Sequence, residues 1–152
     1  MIPKDKWAQY GREGMVVQGI TLHNTNNDYS ARENAEFMMN STSEAGCHFF
    51  IDEKETIQMM PEDWSVWHTG MGYDFGNLST IAIEICRSTC SEELYKQAQT
   101  RAIRKIKNLM KKYELTTDNV YFHRSFNQKT YCPARILQIY GTRAKFIEEE
   151  LS

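Results

Sequence analysis

A chain of 152 residues, 41% of them hydrophobic, is long enough to bury one sizeable core, roughly two-thirds of the surface its unfolded form exposes. Its 18 Lys and Arg against 20 Asp and Glu give a formal charge of −2 with no block of like charge, which argues against a nucleic-acid arm or a basic membrane-binding helix. No apolar run approaches the ~20 residues that span a bilayer, and the start, MIPKDKWAQYG, lacks a signal peptide's apolar core, so the expectation is a chain that is cytoplasmic when made; a monomer is expected.

Taken in chain order, MVVQGITLHN is β-rich and leads into Asn24, Asn26, Asn27 and Asp28, whose short side chains bond nearby backbone and favour a turn. His23 therefore stands at the C-terminal end of a strand. Ser30 and Glu33 form an S-x-x-E capping box, and Ala35, Met38 and Met39 supply the apolar side of the helix it opens. CHFFIDEKETIQMMP predicts a hairpin, two β-prone runs around the polar tip Asp52 to Glu55 that end at Pro61.

TIAIEIC is a further strand whose period of two places Ile81, Ile83 and Ile85 on one face and Ala82 with Glu84 on the other. A carboxylate lodged there costs free energy unless something offsets it. From Ser91 to Tyr113, apolar residues recur at three- and four-residue steps (Leu94, Ala98, Ala102, Ile106, Leu109, Met110), with acids first and lysines last, which predicts a long helix. NVYFH predicts a short strand ending at His123, Pro133 can open a short helix, and GTRAKFIEEEL closes the chain as another. With no repeat, linker or low-complexity tract, residues 1–152 read as one α/β domain with a mixed central sheet flanked by helices.

Two strands thus end in histidines, His23 and His123, and Cys132 follows in HRSFNQKTYCPA. Imidazole and thiolate are natural zinc ligands. Sequence separation alone cannot bring the two histidines together, and taken singly each is more often a core residue.

The segments GITLHNT, GCHFFID, WSVWHTG, STIAIEI and VYFHRSFNQKTYCPA, in that order over roughly residues 15 to 140, resemble the zinc-dependent N-acetylmuramoyl-L-alanine amidases of phages and bacteria, relatives of the peptidoglycan recognition proteins. The resemblance implies a Zn²⁺ bound by His23, His123 and Cys132, and a catalytic carboxylate at Glu84. It places Thr130, two before the cysteine, as a partner to the substrate carbonyl. Lys129 beside it is expected to face away, because neighbours in an extended segment point to opposite sides. The implied substrate is peptidoglycan, cleaved between N-acetylmuramic acid and L-alanine after release of the enzyme to the wall. Domain 1–152 would be the catalytic domain.

His68 and Trp67, with Trp64, lie in the W-H-x-G-like segment and are expected to wall the muropeptide groove, and His48 to line the sheet near the cleft. Many relatives carry a tyrosine immediately before the histidine of the HFF strand; this chain has Cys47, which lacks a phenol's reach and O–H donor. Cys47 is expected to be a buried structural thiol, and Cys86 and Cys90 ordinary thiols, since no matching pair remains for a second metal. Two rival readings stay open: a non-catalytic peptidoglycan-binding module, against which the presence of Cys132 argues, and a cysteine hydrolase pairing Cys132 with His123.

Overall fold

The computed structural model describes residues 1–152. A 3-10 turn (Lys4–Lys6) runs into α1 (Trp7–Tyr10), followed by β1 (Gly11–Glu13), β2 (Gly19–Asn24), α2 (Ala31–Asn40), β3 (Phe49–Ile51), β4 (Thr56–Gln58) and β5 (Trp64–Val66). Then come α3 (Phe75–Ser79), β6 (Thr80–Ile85), α4 (Glu92–Lys112), β7 (Val120–Phe122), α5 (His123–Phe126), α6 (Ala134–Tyr140) and α7 (Arg143–Phe146), with a wide final turn at Ile147–Leu151.

The β-branched runs assemble into a five-stranded sheet of order β4-β3-β6-β2-β7, in which β3, β6, β2 and β7 run parallel and β4 is the antiparallel edge. This is the expected α/β architecture with a mixed sheet. The hairpin expected around Asp52 to Glu55 joins β3 and β4. Its tip is built on Asp52, whose Oδ1 accepts from the Lys54 and Glu55 amides at 2.7 Å while Oδ2 accepts from the first amide of α2, Ala31, also at 2.7 Å. That amide has no partner within its own helix, so one buried aspartate closes a turn and caps a helix together. The Ser30–Glu33 capping box of α2 is present.

Helix α4 begins after Ser91, whose hydroxyl accepts from the Leu94 amide, and it carries Glu92 and Glu93 in its first turn and Lys111 and Lys112 in its last, matching the helix dipole. Its buried stripe starts at Tyr95 rather than at Leu94 and continues through Ala98, Ala102, Ile106 and Leu109. The stripe packs on the sheet face formed by Ile20, Leu22, Ile81, Ile83 and Ile85. At about 1.5–3 kcal/mol for each fully buried aliphatic side chain, this face supplies much of the hydrophobic stabilisation. The opposite face, with Ala82 and Cys86, is covered by Ala35 and Met38 of α2 together with Tyr10, Met59, Met60 and Val66.

Three features depart from the sequence expectations. A separate ribbon pairs β1 with β5, strands of three residues each, too short for any period to show. The late strand stops at Phe122, so His123 opens α5 instead of ending β7. Residues 127–130 form a turn in which the Thr130 amide bonds Asn127 O at 3.2 Å, so the segment before Cys132 is not extended as expected. No helix is long and apolar enough to cross a membrane.

Candidate metal centre and active site

Sheet register assembles the site. β2 and β6 run parallel with His23 opposite Glu84, and β2 and β7 run parallel with Leu22 opposite Phe122, so the next residue, His123, arrives beside His23. The two imidazole centroids lie 4.6 Å apart. All three groups therefore stand at the C-terminal ends of parallel strands, where α/β sheets open their crevice.

Each histidine spends one ring nitrogen on the protein. His123 Nε2 donates to Thr69 O at 2.9 Å, which leaves Nδ1 as a lone-pair donor. His23 Nε2 lies 3.0 Å from His68 Nδ1, and His68 Nε2 lies 3.0 Å from Gly76 O. A carbonyl can only accept, so His68 carries its proton on Nε2; its Nδ1 then accepts from His23 Nε2–H, and His23 Nδ1 is left free. Burial holds His23 well below the usual imidazole range, with His68 and His123 adding to the effect, and burial brings His68 to about 3. The relay is thus built of neutral rings, as a metal ligand requires.

Cys132 is delivered by the chain between α5 and α6. Asn24, the last residue of β2, anchors it: the Asn24 side-chain oxygen accepts from the Arg135 amide at 2.9 Å and the Ile136 amide at 3.3 Å, capping the start of α6. The Asn24 amide group donates to Ile85 O and to the Tyr95 hydroxyl. Asn24 reads in the sequence as a turn former, and its partners lie 61 or more residues away, so no local signal reveals its role.

Cys132 Sγ comes to 3.8 Å from His23 Nδ1, and the three candidate ligand atoms of His23, His123 and Cys132 all lie within 4.8 Å of one another. In a tetrahedral zinc site, bonds of about 2.0–2.3 Å place donor atoms roughly 3.3–3.7 Å apart, so a small contraction suits this cluster to the ion. The donor chemistry agrees, two imidazoles aimed by their second nitrogens and one thiol. The three residues form a possible metal site, and Cys47 lies outside it.

Glu84 Oε1 lies 3.9 Å from His23 Nδ1, while its Oε2 is buried without a hydrogen-bond partner. Burial pushes this carboxyl up to about 8. A cation held by the neighbouring cluster would draw it back down. Glu84, Thr130, Cys47 and the three cluster residues share the walls of a cavity of about 440 Å³. Thr130 reaches this wall through the 127–130 turn, while Lys129 at the tip of the turn is exposed. Cys47, only 1% exposed, has its thiol pushed up by burial and by Glu84.

The residues expected to wall the groove divide. His68 borders the cavity, but both its nitrogens are engaged, so its work is to orient His23. Trp67 lines a neighbouring cavity. Trp64, three residues earlier at the start of β5, packs edge-on against Trp7 at 5.3 Å and against the hydrophobic core instead of lining either cavity. His48 corrects the expectation of a cleft residue. It is fully buried, Nδ1 accepts from the Ala82 amide at 2.9 Å and Nε2 bonds Trp64 O at 2.8 Å. It shares a sheet face with Phe50, the partner of Glu84, but sits two residues nearer the strand start, and so below the cleft. Asn77, 2% exposed and missed by the sequence reading, accepts from the His68 and Thr69 amides at 2.7 and 2.9 Å and so fixes the loop that orients both histidines.

Comparison with known proteins agrees with this geometry. The sequence model of a family described as N-acetylmuramoyl-L-alanine amidase matches residues 13–135. The chain is 38% identical over 138 residues to the N-acetylmuramoyl-L-alanine amidase CwlA of Bacillus subtilis (strain 168), a match covering 90% of this chain and 50% of that protein. It is 36% identical to XlyB of the same organism, over 90% of this chain and 43% of that one. The chain therefore spans about half the length of the curated relatives it matches. Among solved structures, PlyL superposes with a TM-score of 0.91 at 31% identity, over 99% of this chain and 94% of that one. The catalytic domain of XlyA gives 0.83 at 28% identity, over 94% and 93%. With both the sequence match and the fold running through the strand ends that carry His23, Glu84 and His123, the chain belongs to the N-acetylmuramoyl-L-alanine amidase family.

Proposed function

We propose that this chain hydrolyses the amide between the lactyl group of N-acetylmuramic acid and L-alanine in peptidoglycan, using zinc held by His23, His123 and Cys132. The observation that carries the proposal is the convergence of those three donors within 4.8 Å, with the unpartnered carboxylate oxygen of Glu84 in the same cavity. When bound, zinc supplies Lewis acidity toward the amide carbonyl and the attacking water.

The protein supplies the rest. Glu84 takes a proton from the water and delivers it to the departing alanine nitrogen, using a carboxylate whose Oε2 is buried at the cavity without a hydrogen-bond partner. Thr130 donates its hydroxyl hydrogen to the carbonyl oxygen as negative charge develops there. His68 keeps His23 in the tautomer that presents Nδ1, and Thr69 O does the same for His123. A cysteine nucleophile fits less well: burial pushes Cys132 up to about 12, with Glu84 adding to it, whereas a nucleophilic thiol needs its pKa lowered.

The test is a digest of purified cell wall scored for new amino termini and for new reducing sugars. Amino termini alone are expected, their release abolished by a chelator and restored by zinc. Reducing sugars without amino termini, or full activity in protein shown by elemental analysis to be metal-free, would overturn the assignment.

A further inference from the structure

A second cavity, of about 920 Å³, opens beside the first and shares His68 and His123 with it, so the two meet at the metal cluster. Its wall is built on the β1–β5 ribbon. Arg12, at the middle of β1, is in register with Ser65, whose hydroxyl accepts from the Arg12 amide at 3.1 Å and donates to the Arg12 carbonyl at 3.2 Å. The strands touch so closely that a Cβ on Gly11 would lie 1.7 Å from Ser65 O, which makes this approach possible only for glycine. The ribbon thus holds the Arg12 backbone rigidly, although the side chain reaches into solvent.

The Arg12 guanidinium lies 4.6 Å from the Tyr73 ring centre and 6.0 Å from that of Trp67, and it donates to the Tyr73 hydroxyl. No carboxylate pairs with it, including Glu44 on the same wall. Five N–H donors in a planar fork, one given to a phenol and flanked by two aromatic rings, leave a fixed charge with donors to spare. Arg12 is also the sole Lys or Arg on the walls of either cavity. The walls of the first cavity carry no Lys or Arg and present the exposed rings of Phe37 and Tyr131. Arg124 stacks on Tyr131 at 5.8 Å from outside that wall.

We propose that the second cavity is an anion subsite in which Arg12 binds a carboxylate on the peptide side of the substrate. The assignment rests on the amidase reading, because an amide cleaved between the cavities sends one half of the substrate into each. The sugar half, its lactyl carboxyl tied up in the amide, is neutral and suits hydroxyl and aromatic walls. The peptide half carries at least one free carboxylate, for which Arg12 in the second cavity is the one Lys or Arg partner on either wall.

The test is an NMR titration of the zinc-loaded chain with L-alanyl-glutamate as the free diacid and as its diamide. The diacid is expected to bind about tenfold more tightly and to shift the Trp67 indole and Tyr73 ring signals. Arg12→Met should bring the two affinities within about twofold, and Arg12→Lys should keep part of the preference, as a point charge without the planar fork. Equal binding by the native chain, a preference that survives Arg12→Met, or shifts confined to Phe37 and Tyr131 would overturn it. A wall digest without new amino termini would instead overturn the amidase reading, and the titration distinguishes the two failures because it needs no turnover.

Discussion

On the sheet face under α4, Ile20, Leu22, Ile81, Ile83 and Ile85 are completely buried against other hydrocarbon. On the opposite face the same two strands set Thr21, His23 and Glu84, each with a directional partner or an unmet need for one. One backbone carries both sets because successive residues of a strand point to opposite sides. The difference is between a face specified by volume and a face specified by atoms: hydrocarbon packing is non-directional, whereas a proton or a metal must be met by a particular nitrogen, oxygen or sulfur. Substitutions on the first face should therefore change stability and leave chemistry alone, and substitutions on the second should do the reverse.

The largest expected effect is on the chemical face. Glu84→Gln preserves shape and hydrogen bonding but cannot take a proton, so amide hydrolysis should fall about 10²–10⁴-fold while zinc content and melting temperature stay near the native values. Retained turnover, or loss caused by unfolding, would show that Glu84 belongs with the structural face after all. Its counterpart is Ile83→Ala, one residue back and on the other side. There the cavity should cost about 2–5 kcal/mol in urea denaturation, with the specific activity of folded molecules unchanged.

His68 lies between these extremes, since it touches the candidate metal cluster only through His23. His68→Ala removes the acceptor that fixes the His23 tautomer, and zinc affinity in competition with a chromophoric chelator should fall about ten- to a hundredfold. His68→Gln, which can still accept, should recover part of the loss. An unaltered affinity in the Ala variant would mean that packing alone positions His23.

The effect confined to acid pH concerns His48, an imidazole on the chemical face that does structural work. Burial lowers it to about 4 from an ordinary 6.5, so between those values the unfolded chain takes up a proton that the folded chain refuses. Its contribution to stability is complete above pH 6.5 and is lost as the pH falls toward 4, at up to about 1.4 kcal/mol per pH unit. Urea midpoints measured from pH 7 to 4.5 should decline less steeply in His48→Gln than in the native chain. Parallel slopes would show that the ring accepts its proton while folded.

The sequence by itself determined the elements whose signal is local or periodic. The capping box at Ser30, the hairpin about Asp52, the alternation through Ile81 to Ile85 and the stripe of α4 were all readable, because each depends on residues within a turn or two of one another. The family pattern likewise marked His23, His123, Cys132 and Glu84 as candidates. Tertiary structure alone decided how those residues meet, because the register of parallel strands is set by packing across the sheet: it put His23 opposite Glu84 and His123 beside them. It also separated residues of similar appearance, assigning His48 to the interior, His68 to orienting His23 and Trp64 to packing, since a side chain's role depends on which atoms face it. Asn24 capping a helix more than a hundred residues away, and Arg12 held in place by a strand too short to show a period, left no local trace. Both depend on long-range hydrogen bonds, and those exist only once the chain has closed on itself.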